Sequence, residues 1–281
     1  MNNFFKTRST LIMPLAIALV IGSCTKVETD DDFKPGDAPP VPGGFTNSRE
    51  IAPTNLIGYW AFNGSLIDSV SGTSGTSTNT SFGAGQKGQA MQGTANGYVL
   101  SPASAAVKAM TSYTVSFWVN SPLNTGATGI VSIGHTSEFW ANINIFFENG
   151  GNNNLARFKT IYIANGTVRD NNIQDVSGGF NKWVQYLITY DGATGTFKSF
   201  VNGSLIRTNT AAVATPLPFT NVGPIVFGTL HFMTNPSSTS GSTSQPWAAN
   251  LAGRLDEVRI YNKALTDIEA VALFQLEKQR R

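Results

Sequence analysis

The chain has 281 residues but only one cysteine, Cys24, and two histidines. A single cysteine cannot form an intrachain disulfide, so a fold outside the cytoplasm must be stabilised by packing and by any bound ion. No cluster of histidines and cysteines has the spacing of a zinc site. Charged residues make up 13% of the chain, the formal net charge is +2 and the basic residues are scattered. This excludes the basic patch of a nucleic-acid-binding protein.

Acidic residues are also scarce, since the chain has 17 of them, and they are not spaced for catalysis. A retaining glycosidase needs two carboxylates about 5 Å apart on one strand face. Asp256 and Glu257 are adjacent, so alternation should turn them to opposite faces, while Glu138 and Glu148 are too far apart along a strand. The two histidines lie in unrelated segments, where we expect surface or loop positions, and no serine has a nucleophile-elbow motif. We predict a non-catalytic protein; the alternative is a lyase or glycosidase with an unrecognised site.

The N-terminus carries the features of a secretory signal. Lys6 and Arg8 precede an apolar run at 11–21 that is too short to span a bilayer as mature structure. The run ends in Gly22-Ser23-Cys24, which resembles the lipobox of bacterial lipoproteins. This predicts a signal peptide at 1–23 and lipidation of Cys24, whose acyl chains would supply the membrane attachment. An ordinary secretory signal is the alternative.

Residues 24–54 are predicted to be a flexible tether, because they combine acidic residues with several prolines. The acidic run at 26–32 is similar to the export signal of surface-displayed lipoproteins in some Gram-negative bacteria. We therefore expect an outer-membrane lipoprotein exposed at the cell surface. A plain solvated spacer would have the same composition.

Residues 55–281 consist of short alternating segments separated by Asn-Gly and Asp-Gly turns, a pattern typical of an antiparallel β-sandwich or jelly roll. The Ala-rich stretch at 103–110 is long enough for at most a short helical turn. Thr266 and Glu269 form a capping box that predicts a C-terminal helix. The predicted strands are 57–62, 90–91, 98–100, 113–120, 129–134, 139–147, 156–163, 183–190, 196–201, 225–230 and 253–262.

The last of these strands contains a carboxylate that needs a partner. Regular alternation would place Asp256 on the inward face with Val258 and Ile260. A buried, unpaired carboxylate is costly, so Asp256 should be hydrogen-bonded, ion-paired or bound to a metal, unless it lies at the rim of the sheet.

Together, several of these segments resemble the laminin G-like, concanavalin A-like jelly-roll family of bacterial secreted proteins. The matching segments are 58–64 with Asp68 and Ser69, 113–119, 182–184 with 189–191, 200–203, and 253–265. The resemblance covers about residues 55–278. It implies an all-β, antiparallel jelly-roll sandwich with one C-terminal α-helix, a fold that serves lectins, adhesion modules and hydrolases.

Members of this family often bind a structural calcium where the first and last strands meet. The resemblance implies Asn63, the carbonyl of Gly64, Asp68 and Asp256 as ligands, because calcium prefers hard oxygen donors. The alternative is that Asp68 caps a turn and Asp256 accepts backbone N–H bonds.

A non-catalytic jelly roll on a lipid tether is expected to bind an oligo- or polysaccharide. Sugar sites pair aromatic planes with polar side chains, and the loops offer such a set. The predicted ligand-binding residues are Trp140, Glu138, Asn142, His231 and Trp247. The competing functions are a protein-binding adhesion or scaffold module, and an accessory subunit that contacts neighbouring surface lipoproteins.

The five tryptophans are predicted to divide between core and surface. Trp60, Trp118 and Trp183 lie within strands and should be buried, whereas Trp247 has polar and turn-forming neighbours and should be partly exposed. Trp140 suits either packing in the core or contact with a ligand.

Overall fold

The computed structural model describes residues 40–123, 126–152, 154–164, 167–210, 217 and 219–281. The predicted signal peptide, Cys24 and the first part of the predicted tether lie outside the described residues.

Two antiparallel sheets pack face to face, which confirms the predicted jelly-roll sandwich. With strands numbered along the chain, the first sheet runs β13 (Ser204–Thr210), β12 (Thr196–Val201), β11 (Val184–Asp191), β6 (Tyr113–Asn120), β16 (Arg254–Tyr261), β4 (Gln89–Gln92) and β3 (Ser81–Ala84), with β1 (Leu56–Trp60) also paired to β16. The second runs β10 (Thr167–Ser177), β9 (Leu155–Ala164), β8 (Ile143–Asn149), β7 (Ala127–His135), β14 (Val222–Phe227), β5 (Tyr98–Ser101) and β2 (Thr76–Thr78), with the short β15 (Ala248–Ala249) parallel to β7.

Strand alternation explains how the core forms. In β6, Tyr113, Val115, Phe117 and Val119 all enter the main core between the sheets, whereas Trp118 faces the other side and stacks on Phe274 with ring centroids 5.7 Å apart. Because successive side chains point to opposite faces, one strand serves two separate packing layers.

The helices also follow the sequence pattern. Helix α1 (Ala105–Lys108) is one short turn, and helix α2 (Asp267–Lys278) begins at the predicted capping box. The hydroxyl of Thr266 accepts the N–H of Glu269 at 3.2 Å, and the Glu269 carboxylate accepts the N–H of Thr266 at 2.7 Å. Among the described residues, no helix has the length and hydropathy needed to cross a bilayer.

Helix α2 covers the outer face of the first sheet. Leu273 and Leu276 pack there against Phe200 and Tyr261 of the strands. Val41 and Ile51, which the sequence assigned to the tether, are buried in the same cluster. The predicted domain start at residue 55 is therefore too late, because the chain from residue 40 onward already packs on the sheet.

A buried ion cluster lies beneath this helix. The guanidinium of Arg259 donates to Glu277 at 2.7 Å and to Glu257 at 2.9 Å. Glu277 also accepts the indole N–H of Trp118 at 2.7 Å and the side-chain amide of Gln185 at 3.0 Å. Burial alone would lower the pKa of Arg259, but the facing Glu277 raises it above its ordinary value. The two buried carboxylates thus share one guanidinium, and α2 is tied to three strands.

Replacement of Glu277 by Ala should lower the free energy of unfolding by about 3–5 kcal/mol, because the change leaves the Nε–H of a buried guanidinium and two further buried donors without their acceptor. Urea unfolding measures this loss. The matched control is Lys198→Ala, which breaks the half-exposed pair with Asp267 and should cost less than about 1 kcal/mol. Equal losses in the two variants would contradict a structural role for the buried cluster.

Candidate ligand-binding site

Five aromatic rings gather on the outer face of the second sheet. Phe146 belongs to β8, Phe139 and Trp140 to the loop that follows β7, and Phe232 and Trp247 to the long segment between β14 and β16. Trp140 stacks on Phe146 at 5.9 Å with an interplanar angle of 15°. Trp247 lies 5.9 Å from Trp140, 5.6 Å from Phe232 and 6.4 Å from Phe139. We refer to these five residues as the aromatic cluster.

The aromatic cluster is graded from buried to exposed. Phe146 and Phe232 are buried, Phe139 and Trp140 are half-buried, and Trp247 is 41% exposed. The predicted partial exposure of Trp247 is confirmed. Because Phe139, Trp140 and Phe232 pack against it, the indole is supported from within the chain and offers an apolar surface to a ligand.

Two charged side chains belong to residues next to the aromatic cluster, Glu138 along the chain and Lys159 in space. Glu138 is exposed, and within the described residues its carboxylate makes no hydrogen bond or ion pair. Lys159 of β9 lies 5.9 Å from the Phe146 ring centroid and pairs with Glu148 at 2.8 Å. These groups supply donors and acceptors next to an aromatic plane.

A groove of about 490 Å³ is lined by residues that precede and follow Trp247 in the chain, but not by Trp247 itself. Its lining includes Asn96, Gln245 and Asn250 but no charged side chain. Amides of this kind can donate and accept hydrogen bonds with a neutral, hydroxyl-rich ligand.

Two of the predicted ligand-binding residues are not exposed to solvent. Asn142 and His231 are both 0% exposed. The Asn142 amide donates to the carbonyls of Gly134 and Thr220 at 2.9 Å and accepts the N–H of Thr220. His231 Nε2 lies 3.3 Å from the Glu138 carbonyl. These side chains hold the loops in place, so the prediction that they bind a ligand is corrected.

Both histidines are buried, so neither has the surface position that was one of the two predicted. His231 does lie in a connecting segment, between β14 and β15, whereas His135 ends β7. Burial lowers the pKa of His231 to about 4 and lowers that of His135 as well, so both rings are neutral at neutral pH. His135 Nδ1 accepts the N–H groups of Ser137 and Glu138 at 3.2 and 3.0 Å. These two hydrogen bonds stabilise the turn in which the Glu138 side chain is exposed to solvent.

Trp60 and Trp118 are buried as predicted, but Trp183 is not part of the core. It is half-buried just before β11, with the guanidinium of Arg254 5.7 Å from its ring centroid.

Strand β8 begins at Ile143, so the predicted strand at 139–147 is correct only in its second part.

A β-bulge changes the position of Asp256. The register of β16 against β6 shifts between Asp256 and Arg259, and Glu257 has a φ of +50°. Leu255 and Val258 therefore both enter the core. Asp256 instead pairs with Trp118, whose indole lies under α2, so it shares that face rather than the core face predicted for it.

The same bulge puts Asp256 and Glu257 on one side of the sheet, contrary to the expectation of opposite faces. Both are 0% exposed. Asp256 accepts the N–H groups of Lys87 and Glu257 at 3.0 and 2.8 Å, and burial raises its pKa to about 7. This carboxylate is a structural acceptor beneath the surface.

Three of the four proposed calcium ligands, Asn63, Asp68 and Asp256, are held by hydrogen bonds within the chain. Asp68 accepts the N–H groups of Tyr59 and Val70 at 2.9 and 3.0 Å and the hydroxyl of Ser71 at 2.6 Å. Asn63 accepts the N–H of Gln89 at 2.6 Å. Hydrogen bonds from the chain therefore satisfy these oxygens without a cation, as the alternative for Asp68 and Asp256 expects. Within the described residues, no three acidic, histidine or cysteine side chains are grouped to hold a metal.

Addition of EDTA should accordingly leave the thermal midpoint of the protein unchanged, because the hydrogen bonds already satisfy these carboxylates. Circular dichroism melts with and without the chelator make the measurement. A fall of several degrees that CaCl₂ restores would show a bound ion, and Asp68→Asn would then test the ligand set.

A family model described as the concanavalin A-like lectin/glucanases superfamily matches residues 92–270. The name of this model identifies it as a laminin G family. The chain belongs to this superfamily. No curated protein matches the sequence significantly.

Solved structures of binding domains share this fold. The binding domain of Paraclostridial Mosquitocidal Protein 1 is 16% identical, with a TM-score of 0.58 over 79% of this chain and 52% of that one. The binding domain of botulinum neurotoxin DC, solved with SialylT, is 17% identical, with a TM-score of 0.56 over 81% and 52%. This chain thus spans about half the length of these toxin domains.

A third structure is matched along nearly all of its length. Domain 4 of AbnA, a GH43 extracellular arabinanase from Geobacillus stearothermophilus, was solved with arabinotriose and is 19% identical. Its TM-score is 0.55 over 78% of this chain and 98% of that domain. At these identities the likeness shows the fold.

Proposed function

We propose that this chain is a non-catalytic, carbohydrate-binding lipoprotein that recognises a glycan at the aromatic cluster. The observation that carries the proposal is the 41% exposed indole of Trp247, which packs against three further rings, Phe139, Trp140 and Phe232. Sugars present apolar C–H faces ringed by hydroxyls, so an aromatic plane beside amides and carboxylates is complementary to them.

The related structures support this proposal. Domain 4 of the arabinanase was solved with arabinotriose, and the neurotoxin domain with SialylT. The neurotoxin DC domain was also solved with rat synaptotagmin II, which makes protein recognition the second candidate.

The acids of this chain favour binding over bond cleavage. Asp256 and Glu257 are adjacent but fully buried, and Glu257 is held by Tyr59 and Arg259. A glycosidase pair has to reach the scissile bond from both sides. Neither carboxylate has that access.

Replacement of Trp247 by Ala should weaken glycan binding at least ten-fold, or about 1.4 kcal/mol, because the exposed indole is the contact surface. An oligosaccharide array that includes arabinotriose identifies the ligand, and titration calorimetry measures the change. The matched control is Trp183→Ala, which removes a half-buried indole elsewhere and should leave binding unchanged.

Binding of no glycan by the wild-type chain, or unchanged binding by the Trp247 variant, would contradict the proposal. Retention of a protein partner on a column of the wild-type chain, without any glycan bound, would favour the adhesion alternative.

We further propose that Cys24 carries the lipid that attaches the chain to the outer membrane, with the folded domain displayed at the cell surface. The Gly22-Ser23-Cys24 sequence and the acidic residues after it support this proposal.

Cys24→Ser should release the protein from the membrane fraction into the soluble fraction, because no acyl chain can then be added. Fractionation with an antibody measures the shift, and protease treatment of intact cells tests surface display. Unchanged membrane retention of the variant would contradict the lipid anchor.

A further inference from the structure

A second groove lies where strand β16 changes partners. Along one edge, β16 pairs first with β4 through Arg254 and Leu255, and then with β1 from Val258 to Tyr261. The bulge at Asp256 and Glu257 falls between the two pairings. A groove of about 490 Å³ lies beside it, lined from β1, β16, the β3–β4 loop and the N-terminal segment.

The floor of this groove consists of buried, hydrogen-bonded groups. The Tyr59 hydroxyl donates to the Glu257 carboxylate, with 2.8 and 3.0 Å to its two oxygens. The guanidinium of Arg259 lies 4.0 Å from the Tyr59 ring centroid and also donates to Glu257. Glu257 and Arg259 are 0% and 1% exposed. Such pairing fixes the Tyr59 ring in place at the groove.

The backbone beside the groove is strained. Glu257 is a non-glycine residue with a φ of +50°, in the left-handed region. Strain of this kind is concentrated at binding and catalytic sites, where the surrounding structure holds it. Here the surrounding pairs with Tyr59 and Arg259 hold it.

The charges that remain free at this groove are positive. Glu257 is already paired with Arg259, and Asp256 with backbone N–H groups. Lys87 and Arg49 line the groove, and within the described residues their side chains make no ion pair or hydrogen bond. The lining thus holds three cations, Arg49, Lys87 and Arg259, and one acid, Glu257. This excess of positive charge favours a ligand that carries negative charge.

We propose that this groove is a second ligand site, separate from the aromatic cluster, and that it takes a sugar acid. The carboxylate would pair with Lys87 and Arg49. Asn63 and Tyr59, which also line the groove, suit the hydroxyls and the ring of a sugar. The volume lies within the range of small-molecule sites and exceeds what a bare carboxylate needs.

Saturation-transfer-difference NMR on the full-length protein, with D-glucuronate, D-glucose and acetate as probes, tests this proposal. We expect glucuronate to bind at least ten-fold more tightly than glucose or acetate. Equal binding of glucose would overturn the role of the charge, and equal binding of acetate would overturn the role of the sugar.

Lys87→Glu should weaken glucuronate binding at least ten-fold. The backbone N–H that Lys87 donates to Asp256 is retained in this variant. Arg49→Glu changes an exposed side chain of the N-terminal segment. It is a second variant that leaves the β3–β4 loop, which carries Lys87, unchanged. The matched control is Lys108→Glu, the same change of charge in a different pocket.

Trp247→Ala should leave glucuronate binding unchanged, which separates this site from the proposed glycan site. Wild-type affinity in both the Lys87 and the Arg49 variant, or loss of glucuronate binding in the Trp247 variant, would overturn the proposal.

Discussion

The structure depends on one buried guanidinium. Arg259 sits between Glu277 of the C-terminal helix and Glu257 of its own strand, at 2.7 and 2.9 Å. It also lies 3.4 Å from the hydroxyl of Ser48, which in turn donates to the carbonyl of Arg281 at 2.8 Å. The cluster therefore joins the N-terminal segment, the last strand and the C-terminus. Because a buried charge cannot lose its partners cheaply, these three parts of the chain stay together.

This arrangement makes the two outer faces of the sandwich different. The first sheet is covered by α2 and by residues 40–52, beside which lies the groove at Tyr59. The second sheet is covered only in part, by the loop after β7 and the segment before β16, and these bring the aromatic cluster to the surface. Recognition at the aromatic cluster and stability beneath the helix are thus assigned to opposite sides of one domain.

The bulge in β16 interrupts the regular strand pairing next to the groove at Tyr59. A single extra residue lets β16 exchange β4 for β1 as its neighbour, and it places Asp256 on the same face as Glu257 and Arg259. The groove beside Tyr59 lies at that exchange. A straight strand would have sent Glu257 and Arg259 to the same face without opening a gap between β4 and β1.

Strands were predicted well where one face is apolar and poorly at the sheet edges. Strands β6 and β12 have the predicted bounds, whereas β2, β3, β10 and β13 were missed, and these four end the two sheets. Residues in β2 and β13 are largely exposed, so they carry no alternating apolar signal. An edge strand is held by the backbone of its one neighbour, and its polar side chains protect against further pairing.

The sequence by itself determined the sandwich, the capped C-terminal helix and the exposure of Trp247, because each depends on local alternation, capping or turn chemistry. Only the tertiary structure decided that Asn142 and His231 are buried, that Asp256 leaves the core face, and that Trp140 meets Trp247. These outcomes depend on contacts between segments distant in sequence and on one extra residue in a strand. A periodic pattern cannot show where such a residue interrupts it.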